Sequence, residues 1–299
     1  MEVFFKNNYC PVCGETENNK SKFIIKYISD QLLKRLNIVS DQNIELIKCK
    51  RCSHHYVSHY INPNILNLYY TNQSSEIYEV IDINTIDTYK KERRKCCLAI
   101  DKLSDKKGRI LDIGCGPGYL LSYLPNDWKK FGIEPSLKAA EIAEKRGISI
   151  IGKFVEDIDS SEKFDVIILI DVMEHLVNPN EMIKKVYALL KLGGILIIET
   201  GNINSLNAKV SGSRWSYFCT YEHISFFTLK SLKYLLQMNG LNVVETWKKS
   251  HEIGFFKNVY RFVKNIAMSL FFGIIMKKKD YSSFIVYDHV FVAAKKYDR

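Results

Sequence analysis

No stretch of the 299-residue sequence is apolar for long enough to cross a bilayer. The longest uncharged apolar run, IAMSLFFGIIM at 266–276, has 11 residues, against about 18 or more for a spanning helix. The opening MEVFFKNNYC has neither the apolar core nor the small-residue cleavage site of a secretory leader. A cytoplasmic protein is therefore expected. Proline (6) and glycine (15) are scarce and 12% of residues are aromatic, which excludes collagenous and wholly disordered chains. A reducing compartment disfavours disulfides, so the 8 Cys read as metal ligands or buried thiols.

What is present is an ordinary globular balance, 46% hydrophobic and 25% charged. The length suits one large domain or one domain with an appendage. The formal net charge is +10, which suggests an anionic partner without naming it. Its placement is uneven. From Lys248 on, 11 Lys+Arg face 4 Asp+Glu, a net of +7, while the preceding residues hold 32 and 29, a net of +3.

The strongest periodic signal is an alternation of strands and helices. Strands are expected at 109–114, 130–134, 148–151, 164–170, 195–199, 241–247 and 284–294. Helices are expected from the first Gly-rich turn to about 124, from a Ser136 cap to Gly147, at 180–190, and from a Thr228 cap to Met238. Gly193–Gly194 should stop the third of these. This order implies βαβ units in a doubly wound, mostly parallel α/β sheet. Three units are expected: a metal-binding module at 1–70, a helical linker at 71–106, and the α/β domain at 107–299.

Asp112-Ile-Gly114-Cys115-Gly116-Pro-Gly118 lies where the first strand turns into a helix. Glycines there let a ligand approach the backbone, although a tight turn alone would use them too. The spacing GxGxG departs from the dinucleotide GxGxxG. Glu134 ends the second strand, where it can accept hydrogen bonds from a ribose or complement the next helix. Upstream, Cys10-Pro-Val-Cys13-Gly and Cys49-Lys-Arg-Cys52-Ser are two CxxC knuckles separated by 35 residues. Two knuckles supply four thiolates in a tetrahedron, which suits a structural Zn²⁺. His54, His55 and His59 are nearby rivals as ligands. Cys96, Cys97, Cys115 and Cys219 belong to no CxxC pair and read as buried thiols.

LDIGCGPG, GIEPS, FDVIILIDVMEHLVNP and LLKLGGILIIE, in this order, resemble the class I S-adenosylmethionine (SAM)-dependent methyltransferases. The resemblance runs from about 107 to 247. It implies a Rossmann-like, seven-stranded sheet whose last strand is antiparallel. It also implies that Asp112 and the loop Gly114, Cys115, Gly116 and Gly118 line the methionine end of the cofactor. Glu134 would hold the ribose, Asp157 the adenine amino group, and Asp171 would lie under the methionine.

Methyl transfer needs a base beside the acceptor. Glu174-His175, within DVMEHL, helps shape the pocket in this family, and the alternative is packing at a helix start. Tyr221-Glu222-His223 follows the fifth strand. YEHISFFTLKSL, together with the CxxC pairs, resembles bacterial sugar methyltransferases, including nucleotide-sugar C-methyltransferases. That resemblance implies His223 as base, Glu222 orienting it and Tyr221 on the acceptor, with His175 a further candidate. The sequence departs from that subfamily in ending just after the expected seventh strand, so C-methylation is not the favoured expectation, and O-methylation fits the residues equally well.

The segment 252–280 is unexplained by the core pattern. Val259, Phe262, Val263, Ile266, Leu270 and Ile274 share one helical face, with Lys257, Arg261 and Lys264 opposite. It suits a membrane interface at the inner face of the membrane, a homodimer contact or packing on the sheet. The leading expectation is a sugar or glycan-precursor methyltransferase using SAM and zinc. Its rivals are a zinc-containing rRNA or tRNA base methyltransferase and a non-catalytic cofactor-binding scaffold. A near-neutral zinc module without a basic stripe makes a nucleic-acid partner the weaker expectation.

Overall fold

The computed structural model describes residues 2–25, 44–71, 93, 96–104, 107–205, 208–209, 212, 215–218, 222–249 and 289–297. The 252–280 segment, Cys219, Tyr221 and most of the 71–106 linker lie outside them.

Five short strands precede the main domain: β1 (Phe4–Lys6), β2 (Asn18–Ile25), β3 (Ile44–Cys49), β4 (His55–Val57) and β5 (His59–Ile61). A helix, Pro63–Thr71, follows. The main domain holds β6 (Arg109–Ile113), β7 (Lys129–Ile133), β8 (Ser149–Gly152), β9 (Phe164–Ile170), β10 (Leu190–Gly201), β11 (Ser225–Phe226), β12 (Leu241–Lys249) and β13 (His289–Lys296).

The seven-stranded sheet has the order β12-β13-β10-β9-β6-β7-β8. The run from β10 to β8 is parallel, and β13 is antiparallel to both of its neighbours. The expected mixed sheet is therefore present. Strand order reverses at β6/β9, so the crevice at their carboxyl ends is the place for a ligand. Both faces are dry because the strands alternate apolar side chains to either side. Leu111, Leu169, Leu196 and Val292 enter one core, and Ile110, Val166, Ile197 and Ala293 enter the other.

Local sequence fixes most helix ends. The Ser136 side chain accepts the Ala139 N–H and starts Leu137–Lys145. Thr228 and Ser231 cap Leu229–Met238 reciprocally, and Gly240, at φ 79°, closes it. Two expectations shift. The first helix after the Gly-rich turn is only Tyr119–Ser122. Tight i to i−3 bonds carry the chain on through Leu124, because Pro125 cannot continue a helix. The helix Pro179–Leu189 ends before Gly193, and β10 already begins at Leu190. Gly193, at φ 75°, turns the chain inside a break in the β9–β10 register.

The amino-terminal sheet is not confined to residues 1–70. Its order is β11-β4-β3-β2, so its edge strand comes from residues 225–226. Cys10, Cys49 and Cys52 share a core with Leu169, Phe227 and Leu232. No helix among the described residues is long and apolar enough to cross a membrane.

Because both partners of the Thr228–Ser231 cap are buried, Thr228→Ala should cost ~1 kcal/mol of stability. Urea unfolding should show a lower midpoint with an unchanged slope.

Candidate active site

The Gly-rich turn leaves β6 in left-handed geometry, with Gly114, Gly116 and Gly118 at φ 74°, 53° and 78°. A Cβ on Gly118 would lie 2.1 Å from Ile148, and one on Gly114 would lie 2.8 Å from Val172. A Cβ on Gly116 would meet nothing within 4 Å, so this peptide borders open space. That cradle, bounded by a buried acid, fits the SAM implied by the sequence motifs.

The acid is Glu134. Its Oε2 accepts the Gly116 N–H at 2.8 Å and its Oε1 accepts the Ser136 N–H at 2.9 Å. Burial raises its pKa, and the two N–H donors oppose the rise. Asp112 is buried on the adjacent strand. Burial pushes its pKa up to about 7, with Arg93 opposing and Glu134 adding to the rise. The Cys115 thiol points inward beside Gly132, so its backbone, not its sulfur, forms the loop. Asp157 lies beyond β8, where its Oδ2 accepts the Lys153 and Phe154 N–H groups at 2.8 and 2.9 Å. It caps its own turn.

Asp171 ends β9 at φ 53°, a conformation unusual outside glycine. Arg93 Nη2 donates to its Oδ2 at 3.0 Å, and His289 Nε2 lies 3.2 Å from its Oδ1. Arg93 Nη1 lies 3.2 Å from buried Glu199. Burial alone would raise the Asp171 pKa, yet His289 and Arg93 hold it well below the usual carboxylate range. Burial likewise opposes charge on His289, but Asp171, Glu199 and Glu174 together raise its pKa.

Beside this network the structure brings His175 and His223 together, ring centroids 4.8 Å apart and edge to face. His223 Nδ1 is 2.9 Å from the Tyr217 carbonyl. A carbonyl only accepts, so Nδ1 carries the proton and Nε2 keeps its lone pair. The Tyr217 hydroxyl accepts the Gly201 N–H at 2.9 Å and donates to Glu174. Thr200 donates to the other Glu174 oxygen at 2.8 Å. Glu174 is thereby satisfied while buried, and burial raises its pKa. His175 Nδ1 lies 3.4 Å from the Tyr70 hydroxyl, and its ring also hydrogen-bonds the Glu222 backbone. Glu222 thus takes part through its main chain.

Arg93, Glu199, Tyr217 and His289 were not singled out in the sequence. His289 did carry a signal, as the lone titratable ring in the apolar strand HVFVAA.

The cysteines form a third cluster. Cys10 and Cys52 Sγ are 3.6 Å apart, and Cys13 and Cys49 Sγ are 3.5 Å apart. All four sulfurs lie within 4.8 Å of one another. A tetrahedron with ~2.3 Å Zn–S bonds has sulfur edges of about 3.8 Å, so the residues fit a zinc ion. His54, His55 and His59 do not belong to this ligand group. A hydrogen bond from Cys52 brings Cys10 down to about 6, while burial pushes Cys13 up to about 11.

Burial pushes both His175 and His223 down to about 4. A lowered pKa keeps the neutral ring at a pH where an ordinary His, near 6.5, is charged. Ring ¹⁵N NMR at pH 5.5 should therefore show both neutral, with His223 as the Nδ1–H tautomer. Midpoints near 6.5 would contradict the burial argument.

Comparison with known proteins bears on the class of the α/β domain. A family model described as a methyltransferase domain matches residues 89–246, just over half of the chain. A ubiquinone biosynthesis O-methyltransferase of Bradyrhizobium diazoefficiens is 35% identical over 151 residues, covering 46% of this chain and 59% of that protein. An uncharacterized protein of Methanocaldococcus jannaschii is 31% identical over 140 residues, covering 46% of this chain and 67% of that protein. The match thus spans about three fifths of the length of the ubiquinone relatives. Among solved structures, magnesium protoporphyrin IX methyltransferase of Synechocystis PCC 6803 with bound SAH has a TM-score of 0.56 at 14% identity, covering 79% of this chain and 100% of that chain. The same protein with bound SAM gives a TM-score of 0.51 at 13% identity, covering 78% and 96%. At such identities the likeness shows the fold alone. The family match settles the class: this chain belongs to the methyltransferase-domain family and carries a class I SAM-dependent methyltransferase domain.

Proposed function

We propose that the protein transfers a methyl group from SAM to a hydroxyl oxygen of a small-molecule acceptor. The observation that carries this reading is His223, a neutral imidazole whose Nδ1–H is fixed by the Tyr217 carbonyl. Its Nε2 is the base left for an acceptor proton. Bound SAM supplies an electrophilic methyl group on a sulfonium centre. Gly114–Gly118 and Glu134 hold the cofactor, and Asp112 and Asp171 border its methionine end. As the acceptor O–H breaks, His223 takes the proton at Nε2 and becomes cationic. The neighbouring Glu174 carboxylate offsets that charge. His175 packs edge-on to His223 and helps fix the ring plane. Glu222 supports His175 through its main chain, and the sequence resemblance assigns Tyr221 to the acceptor and Asp157 to the adenine amino group.

For the acceptor we favour a sugar hydroxyl of a nucleotide sugar or glycan precursor. The support is YEHISFFTLKSL together with the two CxxC knuckles. A second reading, O-methylation of a ubiquinone precursor, is favoured by the likeness to ubiquinone biosynthesis O-methyltransferases, which covers 46% of the chain. Both readings are O-methylation. Cys10, Cys13, Cys49 and Cys52 hold a structural zinc, because a closed four-thiolate shell leaves no open position for chemistry.

His223→Ala should leave SAM affinity nearly unchanged and lower turnover by about 10²-fold or more. Mass spectrometry for the gain of one methyl group, across nucleotide sugars and ubiquinone precursors, identifies the acceptor. Undiminished turnover in His223→Ala would remove His223 from the role of base.

A further inference from the structure

The sheet that carries Cys49 is completed by β11, which begins two residues after His223. Residues from the two ends of the chain thus share one ladder. Tyr56 pairs with Ser225 and His55 with Phe226. On its other edge β4 pairs with β3, matching Leu46 with Val57, Ile47 with Tyr56 and Lys48 with His55. The Val57 N–H donates to the Ile224 carbonyl at 3.1 Å, and the Ile224 N–H donates to the Glu174 carbonyl at 2.9 Å. The Ser225 hydroxyl donates to the Leu176 carbonyl at 3.3 Å. His175 and His223 therefore sit on two segments fastened to each other through Ile224 and Ser225, and to the amino-terminal sheet through Val57.

The cysteines grip the other end of this ladder. The Cys49 N–H donates to the His54 carbonyl at 2.8 Å, closing the turn that holds Cys52 and opens into β4. The His54 ring lies 4.6 Å from Phe227, just past β11. Cys10, Cys49 and Cys52 share a core with Phe227, Leu232 and Leu235, so the cluster also packs beneath the helix that follows. A two-residue strand has no stability of its own, and β4 is only three residues long. Their register is held from two sides, by the core in which Val57, Ile224 and Phe226 are buried and by the turn at Cys49–Cys52.

We propose that metal binding at Cys10, Cys13, Cys49 and Cys52 positions His223, through the β4–β11 pairing, in addition to folding the amino-terminal segment. Val57 and Ile224 are the positioning residues. This rests on the reading of the cluster as a zinc site and of His223 as the base. The consequence is that zinc occupancy tunes methyl transfer through the acceptor half of the site, while the SAM half, built on β6 and β7, is indifferent to it.

The test uses the full chain, zinc-loaded and after chelation, with hydrogen exchange, His ring ¹⁵N NMR and SAH calorimetry. Chelation should cost the Val57 and Ile224 amides about tenfold or more in protection. It should also erase the fixed Nδ1–H signature of His223 while SAH affinity holds. Val57→Pro removes the N–H that reaches Ile224 but keeps all four cysteines. It should retain zinc and SAH binding, yet lose Ile224 protection and lower kcat more than it changes the KM for SAM. Unchanged Ile224 exchange and an unchanged His223 signature after chelation would overturn the proposal, even if Val57→Pro does not fold. Native mass spectrometry reads the zinc separately, and a chain that takes up none overturns both readings. Undiminished turnover of His223→Ala would remove the base alone, leaving the exchange result to judge the coupling.

Discussion

Buried negative charge at the carboxyl edge of the sheet is the constraint around which the rest is arranged. Asp112, Glu134, Glu174 and Glu199 are each at most 6% exposed. An unpaired buried carboxylate costs several kcal/mol, so each needs a local answer. Glu134 takes two backbone N–H groups, one of them from the cofactor loop. Glu174 takes Tyr217 and Thr200. Glu199 takes Arg93, which also reaches Asp171. Asp112 answers by a raised pKa. Each acid is thus fixed and oriented before any ligand binds, as a preorganised site requires.

The same solvation logic makes the two histidines useful. Half-buried and facing each other, His175 and His223 have lowered pKa values and are neutral at physiological pH. The Tyr217 carbonyl then decides which nitrogen of His223 keeps its lone pair. Tyr217 thus serves twice: its main chain sets a tautomer, and its hydroxyl satisfies Glu174. Tyr70, from the amino-terminal region, closes on His175 from outside. These side chains come from different parts of the chain and meet only in the folded protein.

Much of the sheet was legible because both faces of its central strands are buried. FDVIILI could be little else, and Ser136 and Thr228 announced their helices through side-chain chemistry. The CxxC knuckles and the glycine loop were also readable, since each needs particular residue types at fixed spacing. Arg93 was not, because one Arg in a charged stretch carries no local sign that it will bridge Asp171 and Glu199. Tyr217 was hidden among aromatics whose partners are set by tertiary packing. β11 is too short to show any period, so the amino-terminal module looked self-contained when its edge strand lies at 225–226. The basic segment 252–280 lies outside the described residues.

The central claim is that the acid-lined crevice at β6 and β7 is the SAM site. Titration calorimetry of the wild type and of Glu134→Ala with SAM tests it most directly. The account predicts one-to-one binding by the wild type, weakened about tenfold or more in Glu134→Ala, since a hydrogen bond to a charged group is worth ~1.5–3 kcal/mol. No binding by the wild type, or equal affinities in the two proteins, would contradict it.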